Sequence, residues 1–260
     1  MSSSQYGQLA MPGLSEEPAR TPAPPGTEVV AAAGLDWTAL AAELDRNGFA
    51  LTPPLLSPQE CAEVRDLFDE RDRFRSTVVM ARHQFGEGVY RYFEHPLPDP
   101  VTRLRGEFYG PLAEIANTWA RRLGTEEFPP ELAGLHELCA RAGQHRPTPL
   151  LLRYEAGGYN CLHQDLYGDV VFPLQLAVML SEPDEDFTGG ENVFVEQRPR
   201  AQSRPLVARP RIGQGMIFTV RDRPVPSATR GWRRVVLRHG VSEIHSGLRY
   251  TLGIIFHDAT

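Results

Sequence analysis

After Pro149 the chain changes texture, and that change limits the folds open to it. The runs "LLLRYEA", "VFPLQLAVML", "NVFVEQ", "GMIFTV", "RRVVLRHGV" and "RYTLGIIFH" are short and β-rich, split by Gly, Pro, Asp and Arg turns. Six strands at such spacing, with no helical pattern between them, indicate an antiparallel sandwich or barrel. The front half reads differently. Leu35, Leu40, Ala41 and Leu44 repeat at helical spacing and Gly48 is placed to end that helix. "ALTPPLL" reads as a short strand. Ser57 is an N-cap, with Pro58 at the first helical position and Glu60 three residues on. Residues 75–83 and 88–93 read as strands, residues 99–124 as a long helix interrupted near Gly110-Pro111, and residues 131–143 as another helix. Helices first and strands second give an α+β fold in which N-terminal helices buttress a β-core.

Three parts follow along the chain. Residues 1–34, rich in Ser, Pro, Ala and Gly, read as a disordered tail. Residues 35–147 form the helical and strand N-terminal part of one domain, and residues 148–260 its β-core. Cys61, Cys139 and Cys161 are odd in number and in no CxxC pattern, so reduced thiols and a cytoplasmic location are expected. No apolar run is long enough to span a membrane, and the first residues lack a secretory pattern. The net charge of −6 argues against bulk affinity for nucleic acid. Between Glu196 and Arg249, however, twelve arginines face only Glu196, Asp222 and Glu243, a local excess of nine positive charges.

Within the β half, "YNCLHQDLYGD" places His163 and Asp165 two residues apart. With eight histidines and 33 acids in 260 residues, about one such pair arises by chance, so the surroundings must decide. On a strand, side chains at i and i+2 share a face, so this pair can offer a nitrogen and an oxygen to one ion. A distant histidine would complete a two-histidine, one-carboxylate face, an arrangement that suits non-haem Fe(II) and leaves positions open. His239, His245 and His257 are the candidates. His239 closes a predicted strand, His245 sits in a predicted turn and His257 stands near the chain end. Arg249 and Thr251 share a face of the last strand and form a natural cradle for a dicarboxylate. His136 lies on a helix beside no matching ligand and reads as a surface or packing residue.

These residues resemble, in order and spacing, the Fe(II)/2-oxoglutarate-dependent dioxygenases, in their prolyl-4-hydroxylase-like branch. The likeness runs over about residues 148–258. "RYEAGGYNCLHQD" looks like the branch's tyrosines, glycine turn and HxD; "DFTGGENVFVE" resembles its Gly-Gly-Glu strand. "GQGMIF" resembles the next glycine turn, and "HGVSEIHSGLRYTLGIIF" is similar to the distal histidine followed by Gly and Arg. The resemblance implies a double-stranded β-helix (jelly roll). It implies that His163, Asp165 and His239 ligate Fe(II), that Arg249 pairs with the far carboxylate of 2-oxoglutarate, and that Tyr154 hydrogen-bonds that carboxylate. Thr251 is nominated beside them from its place on the strand. O2 would be the second co-substrate.

The resemblance leaves the substrate open. Hydroxylation of a C–H bond in a protein side chain, an amino acid or a small metabolite is the first expectation, and oxidative demethylation of nucleic acid the second. A non-catalytic jelly-roll binding module is the reading from a different class. Arg82, Tyr90, Arg91 and Tyr92 are the substrate candidates at the mouth. No membrane partner is expected, and nothing in the sequence sets the oligomeric state.

Overall fold

A computed structural model describes residues 28–197, 202–227 and 229–260. Residues 1–27 of the expected tail lie outside the described residues. The part of it nearest the domain is packed: the Val30 N–H donates to the Pro54 carbonyl, and Ala32 is buried. Helix α1 (Trp37–Asn47) is capped by the Asp36 side chain on the Ala39 N–H and closed by Gly48 at φ 78°. After β1 (Phe49–Pro54), α2 (Pro58–Asp66) opens on the capping box of Ser57 and Glu60. Strands β2 (Phe74–Val79), β3 (Gly86–Glu87) and β4 (Val89–Phe93) precede α3 (Asp99–Leu123) and α4 (Leu132–Arg141).

Helix α3 runs without the expected break, although Pro111 lies inside it. Proline removes one N–H, whose acceptor four residues back would be the Glu107 carbonyl. Glu107 is exposed, so water can serve that carbonyl. Meanwhile Leu104, Phe108, Leu112, Ile115 and Trp119 bury one continuous stripe that holds the helix to the sheet.

The remaining strands are β5 (Leu150–Tyr154), β6 (Tyr159–His163), β7 (Leu174–Met179), β8 (Phe187–Gly189), β9 (Asn192–Gln197) and β10 (Arg204–Ala208). They are followed by β11 (Gln214–Thr219), β12 (Asp222–Pro226), β13 (Trp232–Val241), β14 (Ile244–Gly247) and β15 (Arg249–Ile254). The major sheet runs β1-β11-β7-β15-β5-β4-β2. The minor sheet runs β10-β9-β13-β6-β3, with β12 also paired to β13, and β14 pairs β8. Every pairing in these sheets is antiparallel. This is the jelly roll, with strands from the first half of the chain (β1, β2 and β4) extending its major sheet.

The major sheet is covered on both faces, and period-two alternation sorts its side chains. Leu174, Leu176 and Val178 of β7, Leu151 of β5, Ile217 of β11 and Leu252 and Ile254 of β15 join the helices in the larger core. Their neighbours point the other way. Gln175 and Ala177 of β7, Leu150, Leu152 and Tyr154 of β5, Met216 and Phe218 of β11, and Arg249 and Thr251 of β15 line a cavity between the sheets. Burying the helix-side residues contributes roughly 1.5–3 kcal/mol for each large side chain. That rigid layer fixes where the opposite set stands.

Candidate metal centre and co-substrate pocket

His163 and His239 are direct cross-strand partners on β6 and β13. Their rings lie 4.3 Å apart between centroids. The register between these strands shifts just beyond them, with His239 opposite His163 but Val241 opposite Asn160. This bulge puts an extra residue into β6, so that Asn160 and His163, three apart, both reach the cavity. Asp165 lies past the end of β6, on a loop. Its carboxylate oxygens stand 3.5 Å from His163 Nε2 and 3.0 Å from His239 Nε2. The three potential ligand atoms all lie within 4.8 Å of one another.

The donor set fits a divalent metal. The Cys161 carbonyl, 2.8 Å from His163 Nδ1, accepts a hydrogen bond from that nitrogen, which leaves Nε2 as the atom that can meet Asp165 or offer its lone pair to a metal. Asp165 is held from behind on both oxygens: the Tyr167 hydroxyl donates to Oδ1 and the Gln175 amide to Oδ2, each at 2.8 Å. Burial works to raise the Asp165 pKa, but the imidazoles of His239 and His163 outweigh it and hold the carboxyl well below its ordinary range. The two histidines respond in opposite senses. Burial pulls both down; at His163 the bond to Asp165 wins and the net shift is upward, whereas at His239 burial wins and the shift is downward. The difference follows access, since the His163 side chain is 35% exposed and that of His239 12%. Phe218 packs edge-on against the His239 ring at 4.8 Å.

At the other end of the same cavity, of about 450 Å³, Arg249 is 1% exposed. It donates to the Thr251 hydroxyl at 2.8 Å and to the Asn192 side-chain oxygen at 2.9 Å. Its Nε has no partner, and among the described residues no carboxylate pairs with it. Burial lowers its pKa to about 10. A guanidinium buried without a counter-charge is costly, and an anionic ligand relieves that cost. Tyr154 stands opposite Arg249 in the strand register, with its ring 5.6 Å from the guanidinium carbon and its hydroxyl accepting from Asn160 at 3.2 Å. Burial pushes the Tyr154 hydroxyl up to about 12. Gly190, at φ 64°, must be glycine here. A Cβ would come within 3.0 Å of Arg249 Cδ and 2.9 Å of Ile244 Cδ1.

The sequence-nominated residues therefore fall into two groups. His163, Asp165, His239, Arg249, Tyr154 and Thr251 converge on one cavity. His245 is exposed on β14, and His257 is buried beneath the sheet, accepting from the Phe172 N–H. Of the mouth candidates, Tyr90 lines the cavity, while Tyr92 lies behind it against Tyr167. Arg91, between them on the strand, points to the opposite face; it stacks on Phe68 and donates to the Phe68 carbonyl, which removes it from the mouth. Arg82 is exposed but is not part of the cavity lining. Sequence reasoning missed Tyr167, Gln175, Asn192 and Asn160. Gln175 carried a signal, being a lone polar residue inside the apolar run "PLQLAVML".

A family model described as "Oxygenase, catalysing oxidative methylation of damaged DNA" matches residues 88–259. Two uncharacterized proteins of Mycobacterium tuberculosis, from strains CDC 1551 / Oshkosh and ATCC 25618 / H37Rv, are each 49% identical to the chain over 168 residues. The match covers 64% of this chain and 72% of theirs. Among solved structures, a 2OG-Fe(II) oxygenase family oxidoreductase from Burkholderia pseudomallei superposes with a TM-score of 0.51 at 17% identity, covering 87% of this chain and 94% of its own. A prolyl hydroxylase from Trichoplax adhaerens, in complex with a hypoxia inducible factor peptide fragment, gives 0.53 at 14% identity, covering 85% and 89%. At those identities the two structures speak for the fold. No helix among the described residues is long and apolar enough to cross a membrane. The family match spans β5 to β15 with the His-Asp-His cluster and Arg249 inside it, and the chain belongs to this oxygenase family.

Proposed function

We propose that His163, Asp165 and His239 hold Fe(II), that Arg249, Thr251 and Tyr154 hold the far carboxylate of 2-oxoglutarate, and that the substrate is an alkylated base in nucleic acid. The observation that carries the first two assignments is the single cavity with a three-ligand cluster at one end and an unneutralised, buried arginine at the other. When bound, iron, 2-oxoglutarate and O2 supply oxidative decarboxylation to succinate and CO2, with one oxygen atom passed to a substrate C–H bond. The chain's own residues do the rest. Tyr167 and Gln175 keep Asp165 aimed, the Cys161 carbonyl sets the His163 tautomer, and Asn192 holds the Arg249 fork. Phe218, Met216 and Leu152 supply apolar wall, which limits water at the reacting end.

The substrate assignment reverses the order that composition alone favoured. The matching family is described as acting on damaged DNA, and its match covers the whole site. Oxygen insertion into an N-methyl group gives an N-hydroxymethyl group that leaves as formaldehyde, so this chemistry removes a methyl group. The three cysteines are free, two of them buried, which fits a reducing compartment. The test is formaldehyde and succinate release, in equal amounts, from an oligonucleotide bearing an N-methylated base, alongside a proline-containing peptide. Stoichiometric release from the oligonucleotide alone supports the assignment. Coupled succinate formation with the peptide alone overturns the substrate and leaves the cofactor assignment standing.

A further inference from the structure

The chain carries a net charge of −6, yet from Arg221 to Arg238 six arginines face one acid, Asp222. Arg223 is buried and serves the fold, donating to Glu196 and to the Asp45 and Arg46 carbonyls at the end of α1. The other five are exposed. Arg221 and Arg234 share Asp222, at 3.3 and 3.2 Å. Arg230, Arg233 and Arg238 have no hydrogen-bond or ion-pair partner among the described residues. Elsewhere among the described residues Arg46, Arg65, Arg73, Arg103, Arg121 and Arg122 each meet a carboxylate, while the unpaired Arg71, Arg82, Arg146 and Arg204 are scattered along the chain. The β12–β13 hairpin thus carries three unneutralised, exposed guanidinium groups within nine residues of chain.

That hairpin leads to the metal cluster. Arg238 immediately precedes His239 on β13 and so projects from the outer, solvent face of the sheet while His239 faces the cavity; Arg234 lies four residues back on that outer face, about 13 Å along the strand, whereas Arg233 falls on the other face. The Arg221 carbonyl accepts from the Leu237 N–H at 2.8 Å and from the Gln164 amide at 3.2 Å, which ties the hairpin to the loop that carries Asp165. Where the strand reaches the cavity, the lining includes three large apolar residues left in solvent: Phe85, Leu162 and Leu166, at 47%, 41% and 46% exposure. Phe85 is braced by the stacked ring of His83 at 5.4 Å.

We propose that the exposed arginines of β12–β13 are the track for the phosphodiester backbone of a single nucleic-acid strand, and that Phe85, with Leu162 and Leu166, is the platform on which a base beside the target stacks. The proposal rests on the nucleic-acid reading above and locates it on the surface. Phosphates follow a line of guanidinium groups, bases follow exposed apolar faces, and a base bound for an interior site must leave its stack. The geometry supplies all three in sequence: cationic strand, apolar rim, cavity.

The experiment is fluorescence anisotropy of a labelled, unmodified single-stranded DNA with the metal-free protein, at about 50 to about 200 mM salt. Each phosphate contact on a single strand contributes a salt slope of about −0.7, so four contacts give about −3. The variant Arg230→Glu/Arg238→Glu, whose side chains have no partner to lose, should bind at least tenfold more weakly with a slope reduced by about 1.4. Phe85→Ala should lose about tenfold with the slope unchanged. If the first variant melts early, Arg230→Glu/Arg234→Glu takes its place. Unchanged affinity and slope in the arginine variants overturn the track, as does equal competition by poly-glutamate. Salt-dependent binding without turnover of any methylated oligonucleotide keeps the track and overturns the substrate reading. Turnover with an unchanged KM in the arginine variants does the reverse.

Discussion

The two ends of the cavity are built by opposite means. The arginine end stands on β15, an interior strand of a sheet covered on both faces, where every position is set by the layer behind it. The metal end stands on β6 and β13 of the minor sheet and on a loop, with His163 partly exposed. One end tolerates a charge that costs stability; the other assembles three ligands through hydrogen bonds that reach around them. In the proposed reading, an anionic anchor placed deep and ligands placed near the mouth would fix the direction in which a dicarboxylate enters and would leave the outer side of the ligand cluster for substrate.

That contrast can be broken most completely by substitution at each end. Asp165→Ala should abolish Mn(II) binding, measured by calorimetry under anaerobic conditions, because two imidazoles alone leave the site short of its third ligand. Arg249→Met should keep the metal and lose 2-oxoglutarate affinity by about 30-fold or more, the cost of removing one partner of a buried charge pair, about 2–5 kcal/mol. Loss of metal in the arginine variant would merge the two ends into one.

Stability sharpens the same contrast. Because the Arg249 charge is buried without a counter-charge, Arg249→Met should leave the ligand-free protein as stable as before or more so, by up to about 4 kcal/mol in denaturant melts. A pH series reads the layer beneath the cavity. Burial lowers the His257 pKa to about 4, below the unfolded value near 6.5, so the unfolded state binds more protons in that window. Stability from this group is complete above pH 6.5 and falls by up to about 3 kcal/mol as pH drops to about 4. His257→Asn should flatten that fall while leaving the curve above pH 7 parallel. The smallest effect is expected at Tyr167→Phe, which keeps the ring and removes one hydrogen bond to Asp165. Metal affinity should drop about tenfold, with 2-oxoglutarate affinity at saturating metal unchanged.

Legibility in the sequence followed the same division. The shared face of Arg249 and Thr251 was legible because strand alternation governs an interior strand, and the α2 cap because Ser57 and Glu60 act locally. Asp165 was nominated from the i, i+2 rule, but β6 ends at His163 and the carboxylate arrives by a loop that Tyr167 and Gln175 hold. Those contacts depend on which strands become neighbours, which local pattern does not encode. Arg91 was nominated with Tyr90 and Tyr92, though alternation alone places it on the other face. Asn192 was visible only as the residue after Gly-Gly-Glu; its contact with Arg249 spans 57 residues. Pro111 looked like a helix break because the exposed side of α3 and its buried stripe become apparent only with the sheet in place.

The most direct measurement is succinate release after anaerobic loading with Fe(II) and 2-oxoglutarate and admission of air, with Asp165→Ala and Arg249→Met alongside. The native chain should form succinate slowly without substrate, Asp165→Ala none, and Arg249→Met only when 2-oxoglutarate is raised about 30-fold or more. Equal succinate from the native and Arg249→Met chains at low 2-oxoglutarate, or none from an iron-loaded native chain, would contradict a cavity with metal at one end and dicarboxylate at the other.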